Sequence, residues 1–126
     1  AYEMLRSLVG SEMCIRDRLG ASPPLVGPWV LVCHPPPYAT HLDRLPNLDH
    51  PIGSHAVRQF IEQRGPMLAL HGHVHESPQV SGRYWDTIGR TLCVNPGQEH
   101  DRLCAVCLST DRPAETMRHT IYDQNA

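Results

Sequence analysis

Met67-Leu-Ala-Leu-His-Gly-His-Val-His75 is the stretch of sequence that decides how this chain folds. Its first four residues form a short, continuous apolar run, which is typical of a strand buried on both faces of a sheet. Three alternate histidines follow, so the strand is predicted to end there in a polar loop. Loops at strand ends often carry catalytic or ligand-binding groups, because the strand fixes their position while the loop keeps them accessible.

The chain upstream of this stretch predicts a strand, a long loop and a helix. Residues 29–33 form another apolar run and are predicted to be a fully buried strand, which stops at His34 because three prolines follow it. Residues 38–52 are rich in polar residues and prolines and indicate one long loop. Ser54 is predicted to cap a helix that ends at Gly65. The predicted inward face of this helix consists of four apolar residues: Ala56, Val57, Phe60 and Ile61.

Three further strands are predicted downstream. A polar stretch from 76 to 89 carries no predicted element, and residues 91–94 then form a third apolar run. Residues 102–108 and 115–122 alternate between apolar and polar side chains and predict two strands of a hairpin. The order strand, loop, helix, strand, followed by antiparallel β-structure, predicts an α/β fold in which sheet and helix form layers.

The composition is that of an ordinary soluble domain. The chain has 126 residues, of which 40% are hydrophobic and 19% charged, and its formal net charge is −2. This balance gives no electrostatic reason to expect a nucleic acid or a membrane surface as partner. With five cysteines and no secretory signal, a cytoplasmic location with free thiols is predicted. Cys104 and Cys107 form a C-x-x-C pair within a predicted strand, where both are expected to be buried and inert.

The first eighteen residues are predicted to be foreign to the domain. Residues 7–18 resemble a string found at the ends of many draft-assembly proteins, which back-translates to the mosaic end of a transposon used to build sequencing libraries. We therefore expect residues 1–18 to be a non-native segment with few contacts to the rest, and 19–126 to be the domain itself. The alternative is a genuine N-terminal helix, because Leu5, Leu8 and Val9 have roughly helical spacing.

His73 and His75 are the strongest chemical signal in the sequence. Residues two apart in an extended segment point to the same side, so both imidazoles are expected to face one site. Converging histidines indicate zinc, iron, manganese or nickel more than magnesium or calcium. His34, at the end of another predicted strand, is by itself a weaker candidate. Cupins also use such a pair, but they require an antiparallel barrel and a glutamate several residues further on, whereas Glu76 follows directly.

Linked motifs give these histidines a family resemblance. Gly72-His-Val-His75 after a buried strand, with His34 on its own strand end, resembles the last two motifs of the calcineurin-like metallophosphoesterases. Motifs of one bacterial branch of that family recur in order along residues 24–122. They are His34-Pro-Pro-Pro-Tyr-Ala-Thr40, Leu42-Asp-Arg44, Gly53-Ser54, Leu70-His-Gly-His-Val-His-Glu-Ser77, Ile88-Gly-Arg-Thr91 and Asn95-Pro-Gly97.

The resemblance implies a specific fold and chemistry. Members of the family fold as a four-layer αββα sandwich of mixed sheets with flanking helices. They hydrolyse phosphate monoesters or diesters, such as small molecules or nucleotides, through a hydroxide that bridges two divalent or trivalent metal ions. By the resemblance, His34 and His73 are ligands of the second metal and His75 is a ligand of the first. The metals can be manganese, iron, zinc or nickel.

The chain also departs from the family pattern. Members carry an Asp-x-His pair, a Gly-Asp-x-x-Asp and a Gly-Asn-His-Asp or -Glu motif in their N-terminal half, and none of these occurs in the 126 residues. We therefore expect a C-terminal half that is inactive alone, tends to aggregate and has uncovered apolar faces on the strands at 29–33 and 67–71. The alternative is a non-catalytic, histidine-rich metal-binding or scaffold domain, although such relatives usually lose metal ligands and all three histidines are present here.

Several further residues are candidates for supporting roles. Asn95, held extended before a proline, is expected to be either a support beneath the site or a plain turn residue. Glu76 is expected either to accept a hydrogen bond from a ligand imidazole or to face solvent. His71 shares the alternation of His73 and is expected to be structural or to support a ligand. Arg44 is expected either to lie at the surface or to contact a substrate phosphate. The remaining histidines are predicted to lie at the surface or have no predicted partner: His41, His50, His55, His100 and His119.

Overall fold

The computed structural model describes residues 12–123, which form a four-stranded sheet, a two-stranded sheet and short helices. None of the helices in this part of the chain is long and apolar enough to cross a bilayer. The elements in chain order are α1 (12–20), β1 (Val30–Val32), α2 (His55–Arg64), β2 (Leu68–Leu70), α3 (Ser77–Ser81), β3 (Trp85–Ile88), β4 (Thr91–Val94), β5 (Val106–Cys107), α4 (Pro113–Thr116) and β6 (Arg118–His119).

The larger sheet has the strand order β1-β2-β4-β3. Strands β1, β2 and β4 are parallel, with Val30 opposite Leu68 and Leu68 opposite Leu92, and β3 is antiparallel to β4. Parallel neighbours need a crossover connection, which α2 and its loops provide between β1 and β2. The predicted α/β class is therefore confirmed. Because parallel strands end at the same edge of a sheet, this topology brings the residues that follow β1 and β2 together.

Helix α2 forms as the sequence predicts. The Ser54 hydroxyl caps it by accepting the Val57 N–H at 3.1 Å, and the helix ends at Gly65 with φ of 57°. Glycine adopts this left-handed conformation without the strain that a Cβ would cause. The four predicted inward residues are all buried, and Val57 and Ile61 belong to the same core cluster as Ala69 of β2. The helix thus packs its apolar face against the sheet.

Strand β1 is more exposed than predicted. Val30 is 38% exposed and Val32 77% exposed, whereas Leu68 and Ala69 in β2 are almost completely buried. Val30 and Val32 lie on one face of this edge strand, opposite the face from which Leu31 packs against the core cluster. The prediction of an uncovered apolar face is therefore confirmed for the strand at 29–33 and wrong for the strand at 67–71. The expected aggregation of the chain stays a prediction.

Two elements lie in the polar stretch 76–89, for which the sequence predicts none. Helix α3 follows the histidine loop directly, and β3 pairs with β4 so that Ile88 lies opposite Thr91. The two residues between them, Gly89 and Arg90, make the turn, and Gly89 has the positive φ that such two-residue turns need. The strand contains polar residues because most of its positions are only partly buried or exposed. It therefore lacks the apolar run by which the other strands of the sheet are recognised in the sequence.

The C-terminal hairpin is much shorter than predicted. Each strand has only two residues, although the antiparallel pairing is confirmed. Val106 pairs with His119 on the inner face, and Cys107 pairs with Arg118 on the outer face. Alternation along a strand therefore leaves Cys107 exposed, and Cys104 lies before the strand and is half-buried. The prediction that both cysteines are buried is wrong.

Helix α1 makes more contacts than a foreign segment was expected to make. Ile15 and Leu19 pack against the core cluster of α2 and the sheet. The Glu12 carboxylate accepts hydrogen bonds from the Ser54 hydroxyl at 2.9 Å and from the Ala56 N–H at 2.6 Å. The expectation of few contacts is wrong for residues 12–18, and residues 1–11 lie outside the described part of the chain. The foreign origin of the segment stays a prediction.

Replacing Glu12 by alanine is expected to lower the free energy of unfolding by about 1 kcal/mol, because the first turn of α2 loses a charged acceptor. Denaturant unfolding of the two proteins measures the difference. Glu62→Ala is the matched control, since Glu62 only pairs with Arg58 on the exposed face of the same helix and should cost less than about 0.5 kcal/mol. Equal effects of the two substitutions would show that α1 does not support α2.

Candidate functional site

His34 and His73 meet at the edge of the sheet where β1 and β2 end. The Nε2 atom of His34 lies 3.3 Å from the Nδ1 atom of His73, and the two rings are 5.1 Å apart between centroids in a T-shaped arrangement. Both side chains are exposed. Of the three imidazoles that were expected to converge, these two therefore meet at the ends of neighbouring parallel strands.

The backbone that presents the two rings is held by hydrogen bonds beyond the strand ends. The Cys33 N–H donates to the Leu70 carbonyl at 3.0 Å, and the Gly72 N–H donates to the His34 carbonyl at 2.9 Å. His73 then has φ of 66° at the centre of a three-residue turn that the Val74 N–H closes onto the Gly72 carbonyl. A turn of this kind is rare and strained for a residue with a side chain. The strain lies at the residue whose ring faces His34.

His75 lies apart from this pair. It is exposed and lines an open cavity of about 360 Å³ that neither His34 nor His73 lines. The other lining residues are mostly polar or acidic: Glu76, Gln79, Gln98, Glu99, His100 and Asp101. Across residues 12–123, no three or more His, Cys, Asp or Glu side chains are grouped so that they could hold a metal ion. The structure thus brings together two of the three expected ligands. The expectation that His73 and His75 lie two apart in an extended segment is wrong, because His73 has a φ of 66° in a tight turn. The ligand role of His75 stays a prediction.

Glu76 is exposed, and its side chain shares this cavity with the side chain of His75. It precedes helix α3 without capping it through its side chain. Of the two expectations for Glu76, contact with solvent is the one that the structure shows. The carboxylate still adds negative charge to the cavity, together with Glu99 and Asp101. Because the Glu76 side chain is exposed, packing does not fix its position in the cavity.

Asn95 supports the histidine turn from below. It is 1% exposed, and its side-chain amide donates to the carbonyls of Val74 at 3.0 Å and Leu42 at 3.1 Å. Its side-chain oxygen accepts the Gly97 N–H at 3.0 Å. Val74 is the residue between His73 and His75, so Asn95 holds the backbone that carries both rings. Asn95 is therefore more than a plain turn residue, although it touches neither imidazole.

His71 is buried beneath the pair, with 7% of its surface exposed. Its Nδ1 atom lies 3.1 Å from the Cys33 carbonyl and 3.2 Å from the Pro35 carbonyl. Its Nε2 atom is buried without a hydrogen-bond partner. Burial lowers the pKa of His71 to about 4, although the two carbonyls act in the opposite direction. His71 is therefore neutral at pH 7, and its contacts lie with the backbone on both sides of His34.

Asp43 organises the long loop, which sequence reasoning did not foresee. It is completely buried, and its carboxylate accepts three backbone N–H groups, from Ala39 at 2.9 Å, Thr40 at 3.0 Å and Gly53 at 2.8 Å. A Cβ at Gly53 would lie 2.6 Å from the Pro37 carbonyl, so only glycine fits there. Aspartate is common in turns, but these donors lie three and four residues before it and ten after it, a pattern that no local sequence signal reveals. The loop that follows His34 is thus closed by a buried charge.

The remaining polar candidates fall mostly within the loop or at the surface. Arg44 is half-buried, and its Nε–H donates to the Thr40 carbonyl at 3.3 Å, so it also braces the loop. His119, for which no partner is predicted, is 2% exposed, and its Nε2 atom lies 2.8 Å from the Pro96 carbonyl. His41 is half-buried. The predicted surface position is confirmed for His50 and His55, and His100 is also exposed.

Comparison with known proteins identifies no family for this chain. No protein-family model and no curated protein matches it. A solved crystal structure matches 55% of the chain at 32% sequence identity, with a TM-score of 0.45. The chain spans 24% of the length of that protein. The chemistry of the histidine pair and its surroundings is therefore the basis on which a function can be proposed.

Proposed function

We propose that this chain supplies metal ligands to a dinuclear, metal-dependent phosphoesterase of the calcineurin-like type. His34 and His73 hold one cation, and His75 contributes to a second. The α/β layer described above is, in this proposal, the C-terminal half of a four-layer αββα sandwich. The substrates are phosphate monoesters or diesters of small molecules or nucleotides, and the metals are manganese, iron, zinc or nickel.

The spacing of the two imidazoles carries the proposal. Nitrogen ligands lie about 2.0–2.1 Å from zinc, so two of them on one tetrahedral ion are about 3.4 Å apart. His34 Nε2 and His73 Nδ1 are 3.3 Å apart. The separation of the two nitrogens therefore matches that of two ligands on one cation. The strained backbone of His73 is also a feature that is typical of functional sites.

The surroundings also suit phosphate-ester chemistry. Neutral imidazoles bind a cation without cancelling its positive charge, which favours the approach of an anionic ester. Both rings are exposed, so an ester can reach them from solvent. When bound, a pair of metal ions would lower the pKa of a bridging water and polarise the phosphoryl oxygen.

Cobalt binding to single-histidine variants tests this proposal. Co²⁺ is titrated into the chain and into His34→Ala, His73→Ala and His75→Ala, and its visible absorption reports nitrogen ligation. We expect the first two substitutions to weaken binding at the pair at least tenfold. His75→Ala should change it less than threefold, because His75 lies outside the pair. His50→Ala, at an exposed surface position, is the matched control. Equal binding by all variants would contradict the proposal.

The isolated chain is expected to show no phosphatase turnover, even with metal added. The described residues do not group three metal-ligating side chains, so no closed dinuclear site can form from them. Release of nitrophenol from an aryl phosphate monoester and an aryl diester, with Mn²⁺ or Zn²⁺ present, measures the rate. We expect the rate of the buffer blank. Metal-dependent turnover that His73→Ala abolishes would show that this chain alone holds a complete centre.

A further inference from the structure

Residues 71 and 72 hold three consecutive backbone carbonyls around His34. The Gly72 N–H donates to the carbonyl of His34 itself, at 2.9 Å. The His71 ring reaches the carbonyls of the two flanking residues, Cys33 at 3.1 Å and Pro35 at 3.2 Å. One short segment of the second strand end therefore fixes the backbone from which the His34 side chain projects.

The proline run explains why a side chain is needed there. Prolines 35–37 have no N–H, so their own segment provides few donors for its carbonyls. The Pro36 carbonyl accepts the Ser54 N–H at 2.8 Å, and the Pro37 carbonyl accepts the Thr40 hydroxyl at 3.0 Å. The Pro35 carbonyl is bonded to the His71 ring. Removing the imidazole would take away a contact that holds the backbone immediately after His34.

The hydrogen bonds also fix which ring nitrogen carries the proton. Carbonyl oxygens only accept, so the Nδ1 atom of His71 must be the donor. A neutral ring then leaves Nε2 as a lone-pair acceptor, and this atom is buried without a partner. The ring is thus held through Nδ1 alone. A side chain with a donor at the δ position should be able to replace it.

We propose that His71 is a positioning residue for His34. Its Nδ1–H holds the Cys33–Pro35 backbone so that the His34 Nε2 atom stays at ligand spacing from the His73 Nδ1 atom. The inference rests on the proposed metal-binding role of the pair and adds a third histidine that touches no metal. Groups that support metal ligands typically change metal affinity 10–100-fold when they are removed.

Three substitutions of His71 separate positioning from simple core filling. In His71→Asn, the side-chain amide nitrogen occupies the place of Nδ1 and can donate to the same carbonyls. In His71→Gln, the amide nitrogen occupies the place of the histidine Nε2 atom instead. The donor is then misplaced, although the side chain is larger than that of asparagine. His71→Ala removes the donor altogether. If His71 only filled space, glutamine would be the better substitute, and if it positions His34, asparagine would be.

The variants are compared by Co²⁺ titration, with circular dichroism showing that each is folded. We expect His71→Ala and His71→Gln to bind Co²⁺ at least tenfold more weakly than the original chain, and His71→Asn to stay within threefold. Histidine ring signals in ¹⁵N NMR of the metal-free protein give a second readout. The His34 signals should move in the alanine and glutamine variants and stay in place in the asparagine variant.

The possible failures are distinguishable. If the original chain binds no Co²⁺, the proposed function fails, and the metal-free NMR comparison still decides the role of His71. If the chain binds Co²⁺ but all three His71 variants bind it equally well with unchanged His34 signals, the positioning role is wrong. The same conclusion follows if a folded His71→Asn protein loses as much affinity as His71→Ala.

Discussion

Replacing Asp43 by alanine is expected to lower the free energy of unfolding by about 3–5 kcal/mol. The carboxylate accepts three backbone N–H groups with no exposure to solvent. Hydrogen bonds to a charged group contribute about 1.5–3 kcal/mol each, and the donors left behind in the interior would stay unpaired. Such a loss is a large fraction of the 5–15 kcal/mol that stabilises a typical domain. Chemical denaturation followed by circular dichroism measures it.

Two further substitutions make the Asp43 experiment specific. Asp49→Ala removes an exposed carboxylate from the same loop and should change the free energy of unfolding by less than about 0.5 kcal/mol. Asp43→Asn keeps the size but replaces one acceptor oxygen by a donor group, so it should also be strongly destabilising. If Asp43→Ala and Asp49→Ala were equally mild, the buried carboxylate would not be what closes the loop.

His71 is expected to make the fold sensitive to acid. Burial lowers the pKa of His71 to about 4 in the folded protein, whereas an unfolded histidine titrates near 6.5. The unfolded chain therefore binds more protons between these values, and stability falls as the pH drops from about 6.5 towards 4. The stabilisation is fully present above pH 6.5. The full loss attributable to His71 is about 3 kcal/mol.

Comparison with His71→Asn isolates this contribution, because asparagine does not titrate and retains a donor at the δ position. Free energies of unfolding are measured at pH 7 and pH 4.5 for both proteins. The original chain should lose about 2–3 kcal/mol more than the variant over this interval. Equal losses would mean that His71 does not stay neutral when the folded protein is acidified.

The parts of the fold that follow from local pattern are predictable from the sequence. Ser54 and Gly65 are capping residues, and the apolar spacing between them gives both the limits and the buried face of α2. Strand β2 is a short apolar run that ends in histidines, and its burial is confirmed. Strand β3 could not be found in this way, because its identity depends on pairing with β4 and not on its own composition.

The histidine pair was predictable, and His71 and Asn95 could be named as candidate supports, but the contacts that they make could not be predicted. Strand ends predict that His34 and His73 approach each other, since neighbouring parallel strands end at one edge of the sheet. The contacts of His71 with the backbone around His34, and of Asn95 with Val74, join residues more than twenty positions apart. Such contacts depend on the folded arrangement of several elements, and no local pattern in the sequence encodes them.

The central claim is that His34 and His73 bind the same cation, and histidine ¹⁵N NMR during a Zn²⁺ titration tests it most directly. We expect the Nε2 signal of His34 and the Nδ1 signal of His73 to change together, over one range of Zn²⁺ concentration. The signals of His119 should stay constant, because its ring is buried against the Pro96 carbonyl. If His34 and His73 responded at different concentrations, the pair would not be a metal site. The same conclusion would follow if His50 and His100 responded while His34 and His73 did not.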